Sequence, residues 1–195
     1  MRCVLVIGRS NVGKTLFCIH FAEYLGLSKL IWKIQQPSGQ LENKRLTVPQ
    51  AETTLTDASP HFTRCLQSVE IDVPKRKVDC RLMLTDSTGL TDGIHSDTGL
   101  RYAMAQTLEA LLQADVILHM VDAAQSAWEP LDEQIYLYGR TCDAYLVLAN
   151  KIDLPAAKRG YRQLTRRLSS TRILPISALY GNGFREVKQY VWRMA

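Results

Sequence analysis

The chain has 195 residues, 46% hydrophobic and 22% charged, with a net charge of +5. This composition excludes disordered, collagen-like and coiled-coil classes, and a single domain of this length buries roughly 70% of its unfolded surface without disulfide or metal staples. No apolar run approaches the ~20 residues of a membrane span. The N-terminus enters Val4-Leu-Val-Ile7 without a long apolar leader, so a soluble, cytoplasmic protein is expected.

The first strand, Val4 to Ile7, ends in a glycine-containing turn at Gly8 to Gly13, and helical spacing follows over Leu16 to Leu25. Leu27 to Pro60 shows no sustained period and carries Pro37, Gly39, Pro49 and Pro60. It reads as a structureless lid or switch, mobile without ligand. Leu66 to Val73 and Val78 to Thr85 are strands whose short link, Pro74-Lys-Arg-Lys77, leaves room only for a hairpin. Then come a helix over Thr98 to Gln113, a strand over Val116 to Val121 and a helix over Glu129 to Tyr138. Ala144 to Leu148 (strand), Tyr161 to Leu168 (helix), Arg172 to Ile176 (strand) and Phe184 to Arg193 (helix) close the chain. Strands alternating with helices predict an α/β fold around a mostly parallel sheet.

Charge is uneven along this order. From Lys158 onward nine Lys/Arg stand against one acid, Glu186, a net of +8, while residues 1–157 carry −3. A basic C-terminal third offers weak contact with RNA or an anionic surface, the alternative being a solvated helix face. The five cysteines, Cys3, Cys18, Cys65, Cys80 and Cys142, form no CxxC pair, as expected of reduced, buried thiols.

Four segments carry chemistry, each at the carboxyl end of a predicted strand, where α/β sheets bind ligands. Gly8-Arg9-Ser10-Asn11-Val12-Gly13-Lys14-Thr15, running into Leu16, fits GxxxxGK[ST] between a strand and a helix. Such a loop points successive N–H groups at phosphate oxygens, aided by the helix dipole. Lys14 would reach the β- and γ-phosphates and the Thr15 hydroxyl would ligate Mg²⁺. Asp86-Ser-Thr-Gly89 offers a carboxylate to that ion and the Gly89 amide to a γ-phosphate. In Asn150-Lys151-Ile-Asp153 the aspartate can accept two hydrogen bonds from guanine, which adenine cannot give. Ser177-Ala178-Leu179 can present a backbone N–H to guanine O6. Together these predict a guanine nucleotide site.

The chain resembles the translation-factor-related P-loop GTPases, and among them the Era/TrmE-like group, over nearly its whole length. The segments that carry this are Gly8 to Thr15, Ala114 to Asp122 and Ile176-Ser-Ala-Leu-Tyr-Gly-Asn-Gly183. The resemblance implies one GTP-binding domain over 1–195. It implies a six-stranded sheet with one antiparallel edge strand and five helices, and an extended switch I at about 27–63. It further implies GTP hydrolysis to GDP and phosphate with Mg²⁺, and a regulatory switch read by a protein or ribosomal partner. Pro60-His-Phe-Thr-Arg64 resembles the family's switch I setting, which makes Thr63 the candidate Mg²⁺ ligand, with Thr53 and Thr54 as competitors. Where a Ras-like protein has a water-orienting Gln after DxxG, this chain has Leu90. The family reading then makes Asn11 a K⁺ ligand, or else a brace of the loop. His95 falls in the expected switch II and reads as an exposed loop histidine; Trp32 and Trp128 read as packing. No appended RNA-binding module is expected. A GTP-binding interaction module without hydrolysis, or a factor at a membrane surface, stays open beside the switch.

Overall fold

A computed structural model describes residues 1–36, 39–56, 65–73, 80–88, 90, 98–125 and 127–194. The elements are β1 (Arg2–Ile7), α1 (Lys14–Tyr24), β2 (Lys29–Gln35), β3 (Leu41–Thr47), α2 (Val48–Leu55), β4 (Leu66–Val73) and β5 (Cys80–Asp86). After these come α3 (Thr98–Gln113), β6 (Val116–Asp122), α4 (Pro130–Gly139), β7 (Tyr145–Asn150), α5 (Ala157–Arg167), β8 (Ile173–Pro175) and α6 (Phe184–Met194). One sheet runs in the order β3-β2-β4-β5-β1-β6-β7-β8.

The α/β class holds, and β5, β1, β6, β7 and β8 form the expected parallel half. Three expectations need correction. Among the described residues the sheet has eight strands rather than six, and six helices flank it rather than five. The antiparallel part is not one hairpin but three pairings, β4 with β5, β2 with β4 and β3 with β2.

All three differences come from the described residues of 27–56, which fold as β2, β3 and α2 instead of remaining structureless. In β2 the side chains of Leu30, Trp32 and Ile34 turn inward and are buried, the period of a half-covered strand. Two of the supposed breakers, Gly39 and Pro49, serve as connectors, while Pro37 and Pro60 lie outside the described residues. Gly39, at φ 86, closes the β2–β3 turn, its N–H donating to Gln36 O at 2.8 Å. Pro49 sits in the first turn of α2, where its missing N–H costs nothing, and the Gln50 side chain accepts from the Thr47 N–H at 3.0 Å.

Two cores sandwich the sheet. On one side α1, α2 and α6 cover it through Phe17, Phe21, Ala51 and Phe184. On the other α3, α4 and α5 cover it through Leu111, Ile135, Ala157 and Leu168. Trp32 is fully buried in the first core and Trp128 packs against the second, so both are packing residues as expected. No helix among the described residues is long and apolar enough to cross a membrane.

Candidate functional site

The loop 8–13 leaves the end of β1 and reverses sharply into α1, and its two glycines are dictated by neighbours. A Cβ on Gly8 would lie 2.2 Å from Met120 O in β6. Gly13 caps α1 at φ 96, and a Cβ there would sit 2.5 Å from Asn150 Nδ2. Asn11 also has positive φ, 61°, which asparagine tolerates better than most residues. Val12 is buried beneath the loop and Leu16 packs on the first core.

Lys14 opens α1 with its side chain almost fully buried, and its ammonium donates to Arg9 O at 2.8 Å. Burial lowers its pKa to about 8, against the pull of the neighbouring Asp86 carboxylate. The Thr15 hydroxyl donates to Asp86 Oδ2 at 2.7 Å. Asp86, at the end of β5, is fully buried; desolvation raises its pKa to about 6, against the opposing effects of Lys14 and Thr15. Its other oxygen, Oδ1, is buried without a hydrogen-bond partner. A hard cation with oxygen preference fits this pair: Asp86 Oδ1 has unspent acceptor capacity, next to a hydroxyl oxygen.

The base-side motifs join the same constellation through Asn150, which ends β7. Its Nδ2 donates to Val12 O and its Oδ1 accepts from the Ala178 N–H, both at 2.8 Å. One buried amide thereby ties the phosphate loop to the Ser177-Ala178-Leu179 loop. Ser177 and Ala178 are buried while Leu179 is 54% exposed. Ile152 N–H donates to Ile176 O at 3.1 Å, joining the two base-side loops. Lys151, at φ 65, donates to Asp122 Oδ2 at 2.7 Å, and Asp153 is exposed beside it.

Sequence reasoning passed over several residues. Asp122 ends β6, anchors Lys151 and accepts from the Ala124 N–H at 2.9 Å; an acid closing a strand that is apolar but for His119 was the available signal. Asp132 on α4 is buried and holds the Arg9 guanidinium at 2.9 Å, while Arg9 Nη2 donates to Ala127 O at 3.0 Å. The Arg9 side chain thus braces the loop from outside. Asp132 also faces His119, whose other ring nitrogen meets the Tyr145 hydroxyl at 2.7 Å. His20 bridges Ala178 O at 2.6 Å and Glu52 of α2 at 2.5 Å. No local pattern announces these contacts.

Thr63, Gly89 and His95 lie outside the described residues, as does the rest of 57–64. Thr53 and Thr54 stand on α2, where the Thr53 hydroxyl donates to Pro49 O at 2.9 Å. Leu90 is buried, bridged to Arg9, and its N–H approaches Gly8 O at 3.4 Å.

A family model for the 50S ribosome-binding GTPase matches residues 43–151. GTPase Obg of Desulfitobacterium hafniense is 31% identical over 140 residues, covering 67% of this chain and 32% of its own length. The chain thus spans about a third of the curated relatives it matches. The fold is similar to that of Aquifex aeolicus Era bound to GDP and AlF4⁻ (TM-score 0.71, 22% identity, all of this chain and 57% of that one). It is also similar to Era in complex with MgGDPNP and a 16S ribosomal RNA fragment (TM-score 0.69, 23% identity, 99% and 56%). The G domain of the Thermotoga maritima iron transporter FeoB matches end to end (TM-score 0.59, 17% identity, 100% and 98%). With more than half its length matched by that model, the chain belongs to the 50S ribosome-binding GTPase family.

Proposed function

We propose that residues 1–195 act as one GTP-binding unit, with switch I spanning about 27–63, that binds GTP and hydrolyses it slowly to GDP and phosphate. The observation that carries this reading is Asn150, which clamps the phosphate loop and the base-side loop into one cleft. The backbone N–H groups of 9–16 cradle the phosphates at the start of α1. Lys14 leaves Arg9 O for the β- and γ-phosphates, whose charge restores the protonated state that burial disfavours. Asp153 would accept from guanine N1–H and N2, with Lys151 beside it anchored on Asp122, and the Ser177-Ala178-Leu179 loop would present a backbone N–H toward O6.

Thr15, Asp86 and Thr63 are the residues that would hold Mg²⁺, which when bound neutralises charge on the β- and γ-oxygens. Gly89 donates its amide toward the γ-phosphate. Asn11 is read as the residue that would hold K⁺, its amide oxygen being the donor chemistry that ion takes. Leu90 contributes no polar group at the position after DxxG, which supports slow intrinsic turnover. The same residue favours the second reading, a GTP-binding module with negligible hydrolysis. The Obg and Era relatives suggest a regulatory switch in the cytoplasm with a ribosomal or RNA partner.

Fluorescent GDP and ADP titrations, with Mg²⁺ or EDTA, test the site; multiple-turnover GTP hydrolysis in K⁺ and Na⁺ tests the chemistry. Preference for GDP over ADP by at least about 100-fold is expected, with Mg²⁺-dependent turnover faster in K⁺. Tight GDP binding with no turnover above that of Lys14→Ala moves the module reading to first place. Equal affinity for ADP overturns the guanine assignment.

A further inference from the structure

Several cations of this chain are neutralised, and the exposed ones without a partner outside α5 among the described residues, Lys29, Arg45, Arg185 and Arg193, are spread over β2, β3 and α6. Arg2, Lys33, Lys151 and Arg167 face carboxylates, and Arg140 and Arg172 lie over tyrosine rings. Helix α5 differs. Lys158, Arg159, Arg162 and Arg166 are all exposed, and none is ion-paired or stacked on a ring among the described residues. At about 100° per residue they fall within a ~100° arc and extend along about 12 Å of helix.

This arrangement works against the stability of the helix. Lys158, Arg162 and Arg166 follow one another at i, i+4, so like charges adjoin. Lys158 and Arg159 occupy the first turn, which carries no acid and where the helix dipole disfavours cations. The opposite face explains only packing: Ala157 and Gly160 are buried, with Gly160 against the Ala123 carbonyl. A stripe of one sign that costs its own helix points to an external anion.

We propose that the outward face of α5 docks on the phosphate backbone of RNA. Three of the four cations are arginines, whose planar forks suit phosphate oxygens. The exposed side chains of α5 are all polar, whereas a helix that lies on a membrane needs an apolar face to insert. Duplex nucleic acid presents about one charge per 1.7 Å of axis, so several phosphates fall within reach of the stripe. The inference deepens the RNA-partner part of the proposed function and stands apart from the nucleotide site.

The test is the anisotropy of a labelled RNA duplex titrated with the GDP-loaded full chain over a range of KCl. The variant K158E/R162E/R166E is compared with K29E/R185E/R193E, which makes the same change in net charge elsewhere. The α5 variant is expected to bind RNA at least about tenfold more weakly and to flatten the log K against log salt slope by about 2 to 3. The control is expected to bind nearly as the native chain, and both to keep native affinity for labelled GDP. Equal losses in the two variants overturn the proposal, leaving only net charge. So does native RNA binding by the α5 variant, or binding to phosphatidylserine vesicles with none to RNA. Should the glutamate variant misfold by circular dichroism, K158Q/R162Q/R166Q replaces it with the same expectations in smaller measure. Failure of GDP binding in the native chain would strike the nucleotide-site reading instead.

Discussion

Asn150→Ala removes one side chain and orphans two buried backbone groups, the Val12 carbonyl and the Ala178 N–H. A buried group left without its partner costs about 1–3 kcal/mol, so the two together cost about 2–6 kcal/mol, toward the lower end where water enters the void. Asn150→Asp is the sharper variant. It keeps an acceptor for Ala178 but sets a second oxygen against Val12 O, with a charge to desolvate, and should cost at least as much as alanine. Gly13→Ala attacks the same clamp from the other side: its Cβ would lie 2.5 Å from Asn150 Nδ2, at φ 96. Left-handed strain of about 1–2 kcal/mol per residue adds to the collision. In the Asn150→Ala background the collision has no target while the strain remains. A double-mutant cycle by urea denaturation should therefore show coupling of about 1 kcal/mol or more, with GDP affinity falling in both single variants. Additivity within about 0.5 kcal/mol, with unaltered GDP affinity, would refute the view that Asn150 sets the loop.

Three other outcomes are expected. Asp86 has a folded pKa of about 6 against 3.8, so its contribution is full below 3.8 and lost as pH rises through about 6. Asp86→Asn should then stabilise the free chain at neutral pH in EDTA by roughly 1–3 kcal/mol while abolishing the Mg²⁺ dependence of nucleotide binding. A lower melting temperature than native contradicts this. His119 is held below its ordinary 6.5 by burial, with Asp132 opposing. The unfolded chain therefore binds the extra proton first, and stability should fall as pH drops below 6.5. Urea curves between pH 5 and 8 should be flatter in that window for His119→Asn. Gly160→Ala, which at an exposed helix site would gain about 1 kcal/mol, should instead lower the melting temperature, because its Cβ would meet Ala123 O at 2.0 Å. A rise in thermal scans would show that α5 can lift off β6.

The phosphate loop was legible because its backbone admits few residue types at fixed offsets: Gly8 and Gly13 each answer to a named neighbour. Asp86 and Asn150 were legible because each closes an apolar strand, and Ser177 because it follows one by two residues, boundaries that periodicity marks well. The segment 27–60 was not. Ile31, 48% exposed, breaks the alternation of β2, and Gly39 and Pro49 are equally common in structureless loops. The helix expected from Tyr161 starts four residues earlier, at Ala157, because no apolar period marks Lys158, Arg159 and Gly160. In the fold Gly160 belongs to the helix for its closeness to β6. Asp132 with Arg9, and His20 with Glu52, escape for a common reason: partners that fold together from distant segments leave no local trace.

Ala178 shows where such reasoning has to shift from side chains to backbone. Its methyl has no chemistry, yet its N–H is fixed by Asn150 of β7 and its carbonyl by His20 of α1. A carbonyl only accepts, so His20 Nδ1 is the donor there, while Nε2 meets a Glu52 carboxylate oxygen at 2.5 Å. Through that contact α2, the helix that the family pattern does not anticipate, reaches the loop assigned to the base. Ala178 is buried at 2% exposure, so a larger side chain there would have to displace its packed neighbours. The small residue is required by the space around it, while its peptide groups do the orienting.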